Sequence, residues 1–446
     1  MQNTQLFYSL EQKPPFFKAI FAAFVHLMAM FIAVITPSLL ICKELGVNDM
    51  DTGRIIAMSL FASGIASLIQ IYKIGPIGSG LLSIQGTSFN FVAPIITAGL
   101  LLKNKGLDDA QMLGTIFGTL MMCALTEILI SQFLPLFKKA ISPLVSGIVV
   151  LLIGLSLINI GLISVGGGYE AKSNGSFGNL KDLFLAGSVI AAIIFLNLFK
   201  NSYLKISALF LAVVVGVLIA YFLGDFSFQM NYQLPLVFLP QPFYFGIGID
   251  WSLVLPFVLV YAVTSLETIG DISATCEVSH QKLEGREYFL RLKGGVLANG
   301  INSFVSGIFN TFPNSCFSQN NGVIALSGIA SRYVGLLVAL FLMLLGLFPV
   351  IANFALQIPQ SILGGATLVM FGSIAATGVR ILAKEKITRR SILIISLSLG
   401  IGLGVNNNPD ILQFLPKWVE SVFSSGIVAG GLCAIFLNLI FPKEVV

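Results

Sequence analysis

Long apolar runs follow one another along nearly the whole of this 446-residue chain, separated by short polar stretches. A helix needs roughly 20 apolar residues to cross a bilayer. Fourteen runs reach or approach that length and are predicted as spans. They lie at 17–41, 53–72, 80–101, 109–133, 141–163, 182–199, 205–223, 252–274, 293–312, 315–330, 332–352, 360–379, 390–405 and 424–441. The sequence therefore predicts one all-α integral membrane unit without a separate soluble domain.

The low charge content points to the same class. Charged residues make up 10% of the chain and apolar residues 56%, whereas soluble domains average about 25% charged residues because water must wet their surface. A net charge of +5 suggests nucleic acid in a soluble protein, but here the positive residues sit in loops and orient the helices. The five cysteines show no metal-like spacing. We therefore expect no disulfide framework, metal, organic cofactor or nucleic-acid partner.

The Lys and Arg residues predict the orientation in the membrane. With a cytoplasmic N-terminus, 18 of the 25 fall in cytoplasmic segments and seven fall outside, as the positive-inside rule requires. A miscount by one span would mix the two sets. Residues 1–15 show no signal-peptide pattern. The sequence predicts a multi-pass protein of the inner cell membrane with both termini cytoplasmic.

The third and tenth runs do not resemble ordinary spans. The third begins GLLSIQGTSFN at Gly80, and the tenth begins NSCFSQNNG at Asn314. Each pattern predicts a short extended stretch, a capping residue and then a helix, which in the tenth run extends to Ala330. The candidate caps are Thr87 or Ser88 in the third run and Ser318 in the tenth. Such backbone survives at membrane depth only where protein or a water-filled cavity satisfies it.

The positions of these two runs suggest an internal repeat. Each is third in its set of seven spans, and an odd number of spans inserts the second set upside down. Interrupted spans at matching places point to inverted repeats with a binding site at their interface. The predicted repeats are 1–225 and 226–446. Two half-helix N-termini facing each other near the midplane would suit a polar, planar ligand rich in carbonyl groups.

Carboxylates inside spans mark a functional region. Glu267 and Asp271 lie in the stretch TSLETIGD of the eighth run, four residues apart and therefore on one helix face. A charge at this depth costs roughly 2.5–3.5 kcal/mol on insertion scales. Two like charges this close do not ionise together easily, so one carboxyl is expected to hold a proton near neutral pH, as proton coupling requires. Alternatively, Asp271 lies at the cytoplasmic helix end and is simply hydrated.

Two other in-span residues admit two readings each. Glu127 lies in an apolar stretch of the fourth run, where a structural hydrogen bond and a role in transport are equally compatible with the pattern. His26, in FVHLM of the first run, is the only histidine within a predicted span. It fits a packing role and a proton relay equally well.

These motifs resemble those of the nucleobase–ascorbate transporter family. The stretch QNNGVIALSGIASR from Gln319 resembles the family signature, in which Gln or Glu, Asn, any residue and Gly precede a Thr and a basic residue. The stretches SLETIGD ending at Asp271, GTSFN ending at Asn90 and GGATLVMFG from Gly364 are similar to family motifs as well. The resemblance covers essentially the whole chain and implies a transporter rather than an enzyme.

The resemblance also implies an architecture. It predicts fourteen spans in two inverted seven-span repeats. Spans one to four and eight to eleven would form a core domain that carries the substrate. Spans five to seven and twelve to fourteen would form a gate domain that pairs in a homodimer. Transport would then proceed by alternating access, with the site between spans three, eight and ten.

The resemblance implies that Glu267 and Gln319 hydrogen-bond a nucleobase. Gln at this position is similar to the purine branch, which predicts xanthine or uric acid as substrate. An oxopurine alternates N–H donors with carbonyl acceptors, which suit a carboxylate and an amide. Ser88 and Phe89 are expected to offer a backbone N–H and an aromatic face. Asn320 is expected to brace the signature loop.

Departures from the family pattern affect the coupling mechanism. Ser327 stands where the signature usually has Thr, and the residue before His26 is not the frequent Gln. Asn299 stands where many purine members have Asp, and an amide cannot take up a proton. Proton coupling is therefore expected of Glu267 and Asp271, with His26 as a further candidate.

Two alternative functions stay open. The first is a uracil or other pyrimidine permease of the same family. The second is an anion exchanger or channel of the same architecture, although a site with the acidic Glu267 argues against an anion. The sequence does not choose among the purines.

Overall fold

The computed structural model describes residues 6–134, 142–227, 237–383, 385, 388–415, 423 and 426–441. The first residues of the fifth and fourteenth predicted spans lie outside the described residues. Six of the basic residues used to predict the orientation lie outside them too: Lys138, Lys139, Lys384, Lys386, Lys417 and Lys443.

The described residues form helices joined by short loops, together with two very short strands. The first helices are α1 (Phe16–Glu44), α2 (Asp49–Ile71), α3 (Val92–Asn104), α4 (Asp109–Gln132), α5 (Pro143–Val165), α6 (Gly168–Ser173), α7 (Leu180–Leu198), α8 (Ser202–Ile206) and α9 (Ala208–Phe222). The later helices are α10 (Trp251–Val278), α11 (Gly285–Ile308), α12 (Gln319–Ser327), α13 (Arg332–Leu347), α14 (Pro349–Gln357), α15 (Gln360–Ala383), α16 (Arg389–Asn407) and α17 (Gly426–Ile440). The strands are β1 (Gln85–Thr87) and β2 (Asn314–Cys316), and 3-10 turns occupy Phe89–Phe91 and Pro409–Leu412.

The helix starts follow from local sequence. Asn48 accepts a hydrogen bond from the Asp51 N–H and so caps α2. Asp108 forms a capping box at the start of α4, and Thr388 forms one at the start of α16. Ser142 caps α5, whose first residue is a proline. Such side chains satisfy N–H groups that have no partner inside the helix.

The multi-pass prediction is confirmed in a coarser form than fourteen spans. Among the described residues, eight helices are long and apolar enough to cross a membrane, or up to nine if the bent pair α13–α14 counts as one. The stretch Phe89–Asn104 and helices α9 and α17 are apolar but shorter. The chain is therefore a helical membrane protein.

The helices pack as two groups. The first group comprises α1 to α4 and α10 to α13, in which α2 packs against α13 and α4 packs against α11. The second comprises α5, α7, α9 and α15 to α17, in which α5 packs against α15, α7 against α9, and α16 against α17. Among the described elements, most contacts between the groups are made by α1 and α10.

Two predicted helices differ from those observed. The eleventh predicted span, 332–352, was expected to be continuous, but it bends by 78° between α13 and α14. Phe348 has an extended backbone there because the following Pro349 disfavours a helical conformation in the residue before it. The tenth predicted helix ends at Ser327 rather than at Ala330. Gly328 adopts a left-handed conformation with φ of 66° and ends the helix.

The segment after α12 is bound to the N-terminal part of the chain. The Tyr8 N–H donates to the Gly328 carbonyl at 3.2 Å, and the Ala330 N–H donates to the Tyr8 carbonyl at 2.9 Å. The Arg332 N–H donates to the Leu10 carbonyl at 3.0 Å. This strand-like pairing fixes the end of the short helix α12.

Candidate binding site

The two strands pair with each other inside the first helix group. Strand β1 pairs antiparallel with β2, with Gly86 opposite Ser315, and all six residues are buried. The strands thus satisfy each other's backbone, as non-helical chain inside a membrane requires. A side chain at Gly86 would collide with the Phe317 ring and approach Val34 to 2.8 Å. Only glycine allows the strands and α1 to come this close.

Each strand leads into a helical turn, and the predicted capping residues Ser88 and Ser318 stand at the N-cap positions. The Ser88 hydroxyl accepts a hydrogen bond from the Asn90 N–H at 3.4 Å and caps the 3-10 turn before α3. The Ser88 N–H donates to the Pro313 carbonyl at 2.8 Å, so it is not free for a ligand, contrary to prediction. Ser318 stands at the N-cap position of α12, but it has helical angles and makes no capping hydrogen bond through its side chain. Its backbone already belongs to the helical turn.

Glu267 is a half-buried carboxylate on α10. The Asn90 side-chain amide donates to its Oε2 at 2.6 Å and to the Thr264 hydroxyl at 3.2 Å. No described residue donates a hydrogen bond to Glu267 Oε1. One carboxylate oxygen is therefore held by the protein, while the other is available to a ligand.

Asp271, one turn along α10, is fastened to α12. It is only 5% exposed, so the alternative of a simply hydrated carboxylate is wrong. The Asn321 amide donates to Asp271 Oδ1 at 2.8 Å, and the Thr275 hydroxyl donates to Asn321 Oδ1 at 2.6 Å. These bonds tie the signature helix to the helix that carries Glu267.

The first turn of α12 has an open face. Gln319 is half-buried, and its amide makes no hydrogen bond with any residue that the structure describes. Ser318 is exposed, and a Cβ atom at Gly322 would find nothing within 4 Å. The next residue, Asn320, points the other way and donates to the Leu82 carbonyl. It braces the signature helix against the chain leading into β1.

His26 and Phe89 lie at the edge of this region. His26 is 1% exposed, and the Asn320 side chain is near enough to interact with it. Neither ring nitrogen of His26 has a hydrogen-bond partner among the described residues. Phe89 is 6% exposed and meets Phe371 of α15 edge to face, with centroids 5.4 Å apart. This contact joins the site to the second helix group.

Glu127 and Asn299 form a hydrogen-bonded pair. The sequence assigned no definite role to Glu127, and Asn299 is one of the departures from the family pattern. The Asn299 amide nitrogen lies 3.0 Å from each carboxylate oxygen of Glu127. Both side chains are completely buried between α4 and α11.

Sequence reasoning also missed the roles of Asn90 and Asn321. Both stand inside the quoted motifs, where an amide within an apolar span was the available signal. Their partners are 177 and 50 residues away, respectively, which no local pattern reveals.

The site as a whole can bind a polar, neutral ligand. It offers a carboxylate oxygen, an amide that has no partner among the described residues and the N-terminal turn of α12, within elements that pack together. Within the described part of the chain, no group of three or more His, Cys, Asp or Glu residues could hold a metal ion. A polar site among broken membrane helices defines a transporter.

Comparison with known proteins narrows this class. The family model Xan_ur_permease, described as the Permease family, matches residues 17–411. The chain belongs to this family, the nucleobase–ascorbate transporters, and the predictions of the family and of a transporter rather than an enzyme are confirmed.

Curated relatives cover nearly the whole chain. It is 58% identical over 446 residues to the xanthine permease XanP of Escherichia coli strain K12, covering 99% of this chain and 96% of that protein. It is 40% identical to XanQ, another xanthine permease of the same strain, covering 99% and 94% respectively. A xanthine permease of Bacillus subtilis strain 168 is 31% identical, covering 93% and 92%.

Solved structures share the fold at low identity. The transmembrane domain of the cyanobacterial bicarbonate transporter BicA matches with a TM-score of 0.58 and 17% identity, covering 93% of this chain and 99% of that one. The murine anion transporter Slc26a9 in its inward-facing state matches with a TM-score of 0.65 and 12% identity, covering 96% and 69%. At these identities the likeness concerns the fold alone.

Proposed function

We propose that this chain imports a purine nucleobase, xanthine or uric acid, by proton symport. One observation carries the proposal. Glu267 keeps one carboxylate oxygen free on α10, while Gln319 keeps an unpaired amide on the adjacent helix α12. The relatives at 58% and 40% identity are both named xanthine permeases. The uracil alternative has no such support among these relatives.

The chemistry of the site suits an oxopurine. Glu267 Oε1 accepts from a ring N–H, and the Gln319 amide donates to a carbonyl while its oxygen accepts from a second N–H. The Ser88 hydroxyl, the Phe89 ring edge and the bracing Asn320 complete the site. A base that lacks the matching groups leaves buried polar atoms unpaired and is rejected.

The proposed architecture has fourteen spans in two inverted repeats, 1–225 and 226–446. Its support is that the packing recurs between the halves: α7 packs against α9 as α16 packs against α17, and α1 against α2 as α10 against α11. The first helix group would be the substrate-carrying core, and the second would be the gate. Both termini would be cytoplasmic in the inner membrane, with two copies paired through their gates.

The proposed cycle is alternating access with the proton as coupling ion. Substrate and proton bind at the site between spans three, eight and ten, and the loaded core moves against the gate. Glu267 and Asp271 would carry the coupling, with His26 beside Asn320 as a further candidate. Support comes from two carboxyls on one helix, each held by an asparagine amide rather than by a fixed positive charge.

Uptake of labelled xanthine into transport-deficient cells tests the proposal. An uncoupler and an excess of unlabelled xanthine, uric acid or uracil are added in turn. We expect accumulation that collapses with the uncoupler and is blocked by purines but not by uracil. Uptake that survives the uncoupler would refute proton coupling. Competition by uracil alone would refute a purine as the substrate.

Two substitutions locate the contacts. Glu267→Gln should abolish uphill uptake, because an amide cannot take up the coupling proton and has only one oxygen with which to accept from the base. Gln319→Glu should weaken purine binding, because the carboxylate no longer donates to a carbonyl. Glu277→Gln, at the exposed end of α10, is the control for the same chemical change. Normal uphill uptake by Glu267→Gln, or unchanged binding by Gln319→Glu, would refute the respective contact.

A further inference from the structure

Glu127 is a completely buried carboxyl in the C-terminal half of α4. Its hydrogen-bond partner is the neutral Asn299 amide, whose nitrogen lies 3.0 Å from both carboxylate oxygens. No salt bridge from Lys, Arg or His reaches it among the described residues. A buried negative charge without a cationic partner is costly, so this carboxyl is poised to take up a proton.

The groups around Glu127 increase the cost of its charge. From α10, Glu267 lies near enough to interact with it electrostatically, and the Tyr261 ring carries a hydroxyl that donates to the Leu120 carbonyl at 3.0 Å. Cys123 lies one turn away on α4 itself, near Tyr261. From α11 the Asn299 side chain, which is neutral, donates to it. Each titratable neighbour is acidic, so Glu127 and Glu267 compete to be ionised.

The Asn299 side chain can serve both states of Glu127. Its amide nitrogen faces the carboxylate, while its Oδ1 is buried and has no partner among the residues that the structure describes. Rotating the amide by half a turn would present Oδ1 to a protonated carboxyl, which would then donate its O–H. The pair is therefore hydrogen-bonded whether or not the proton is present, and the unpaired oxygen becomes useful in the second state.

We propose that Glu127 is a second proton-holding residue of the transport cycle, linked by charge to Glu267 and positioned by Asn299. This rests on the proposed function of proton-coupled purine transport. The proton arrives from water and forms the O–H bond of Glu127, which removes the negative charge beside Glu267. Glu267 is then ionised while the substrate is bound and accepts the substrate N–H. When the substrate leaves, the O–H bond breaks and the proton returns to water on the other side.

Binding of labelled xanthine to the purified full-length protein, measured across pH, tests this assignment. The wild type should bind more weakly as the pH rises, because Glu127 then loses its proton. Glu127→Gln, which resembles the protonated state and keeps an amide for Asn299, should retain at alkaline pH the affinity that the wild type shows at acidic pH. The titration of xanthine itself is common to all variants, so the differences between variants carry the result.

Two further variants secure the outcome. Asn299→Leu removes the donor that stabilises the charged carboxyl, so it should also flatten the pH profile, even if Glu127→Gln does not assemble. Glu277→Gln should keep the wild-type profile. If both site variants keep the wild-type profile while the wild type is pH-dependent, the role of Glu127 is overturned and proton coupling stands. If wild-type binding is independent of pH, or xanthine does not bind, the proposed function fails first and this inference fails with it.

Discussion

At the scale of single residues, three carboxyl groups within the predicted spans have the same kind of hydrogen-bond partner. Each accepts from an asparagine amide on a different segment: Asn90 with Glu267, Asn321 with Asp271, and Asn299 with Glu127. An arginine would fix its partner in the charged state, since its guanidinium is always ionised. An amide instead can hydrogen-bond a carboxyl group in its ionised or its protonated state, because it both donates and accepts. Asparagine partners are therefore compatible with the proposed changes in charge of these carboxyls.

Asn321→Ala should destabilise the protein. The change removes the amide that donates to Asp271 Oδ1, in a buried position. Losing such a partner costs about 1–3 kcal/mol, so the midpoint of thermal unfolding in detergent should fall. Asn174→Ala, in an exposed loop, is the matched control and should leave the midpoint unchanged. Equal midpoints for the two variants would show that the Asp271 pairing adds nothing to stability.

Asn90→Ala should weaken substrate binding. Asn90 holds Glu267 Oε2 at 2.6 Å and so aims the other oxygen at the ligand. Hydrogen bonds to charged groups contribute about 1.5–3 kcal/mol, which corresponds to roughly tenfold or more in Kd for xanthine. Asn90→Asp makes a separate comparison, because it places a second carboxyl against Glu267 and should be worse than alanine. Unchanged affinity in both variants would mean that Glu267 needs no orienting partner.

At the scale of elements, the pairing of β1 with β2 depends on one glycine, Gly86. In Gly86→Ala, the added methyl group collides with the ring of Phe317, the residue that follows β2. Because the strand is paired on one side and packed on the other, it cannot move away. We expect loss of folded protein, measured as monodisperse material after extraction. Gly187→Ala in α7, where a Cβ meets nothing within 4 Å, should behave as wild type. A normal amount of folded Gly86→Ala protein would mean that the strand pair and its neighbours can make room for the methyl group.

The sequence predicted the elements better than their partners. The unusual composition of the third and tenth runs was sufficient to place two broken segments, because glycine and amides inside an apolar run are local signals. The pairing of β1 with β2 was not predictable, since it joins residues more than 200 positions apart. The use of the Ser88 N–H by Pro313 was missed for the same reason. The bend before Pro349 had a local signal that the apolar run obscured.

At the scale of the whole molecule, the two helix groups touch through few elements. Helices α1 and α10 make most of the contacts between the groups, and both contain an internal proline, Pro37 and Pro256. The site lies in the first group, where α3, α10 and α12 meet. If the substrate is carried by movement of one group against the other, contacts across this boundary must slide, while contacts within a group persist.

A pair of cross-links distinguishes these contacts. Phe31 of α1 and Phe210 of α9 meet edge to face across the boundary, with ring centroids 6.0 Å apart. Phe61 of α2 and Phe309 at the end of α11 meet at 5.4 Å within the first group. Each pair is replaced by cysteines in a background with Cys433→Ser, since Cys433 is the native cysteine that is not buried.

Joining each pair with a short bis-maleimide should then separate movement from binding. We expect the Phe31–Phe210 link to stop xanthine uptake but leave xanthine binding intact, because it locks the groups together without entering the site. The Phe61–Phe309 link should leave both unchanged, since these residues move as one body. Single-cysteine variants treated with the same reagent control for the modification itself. Full uptake by the linked Phe31–Phe210 protein would place the moving boundary elsewhere and reassign α1 or α9 to the other group.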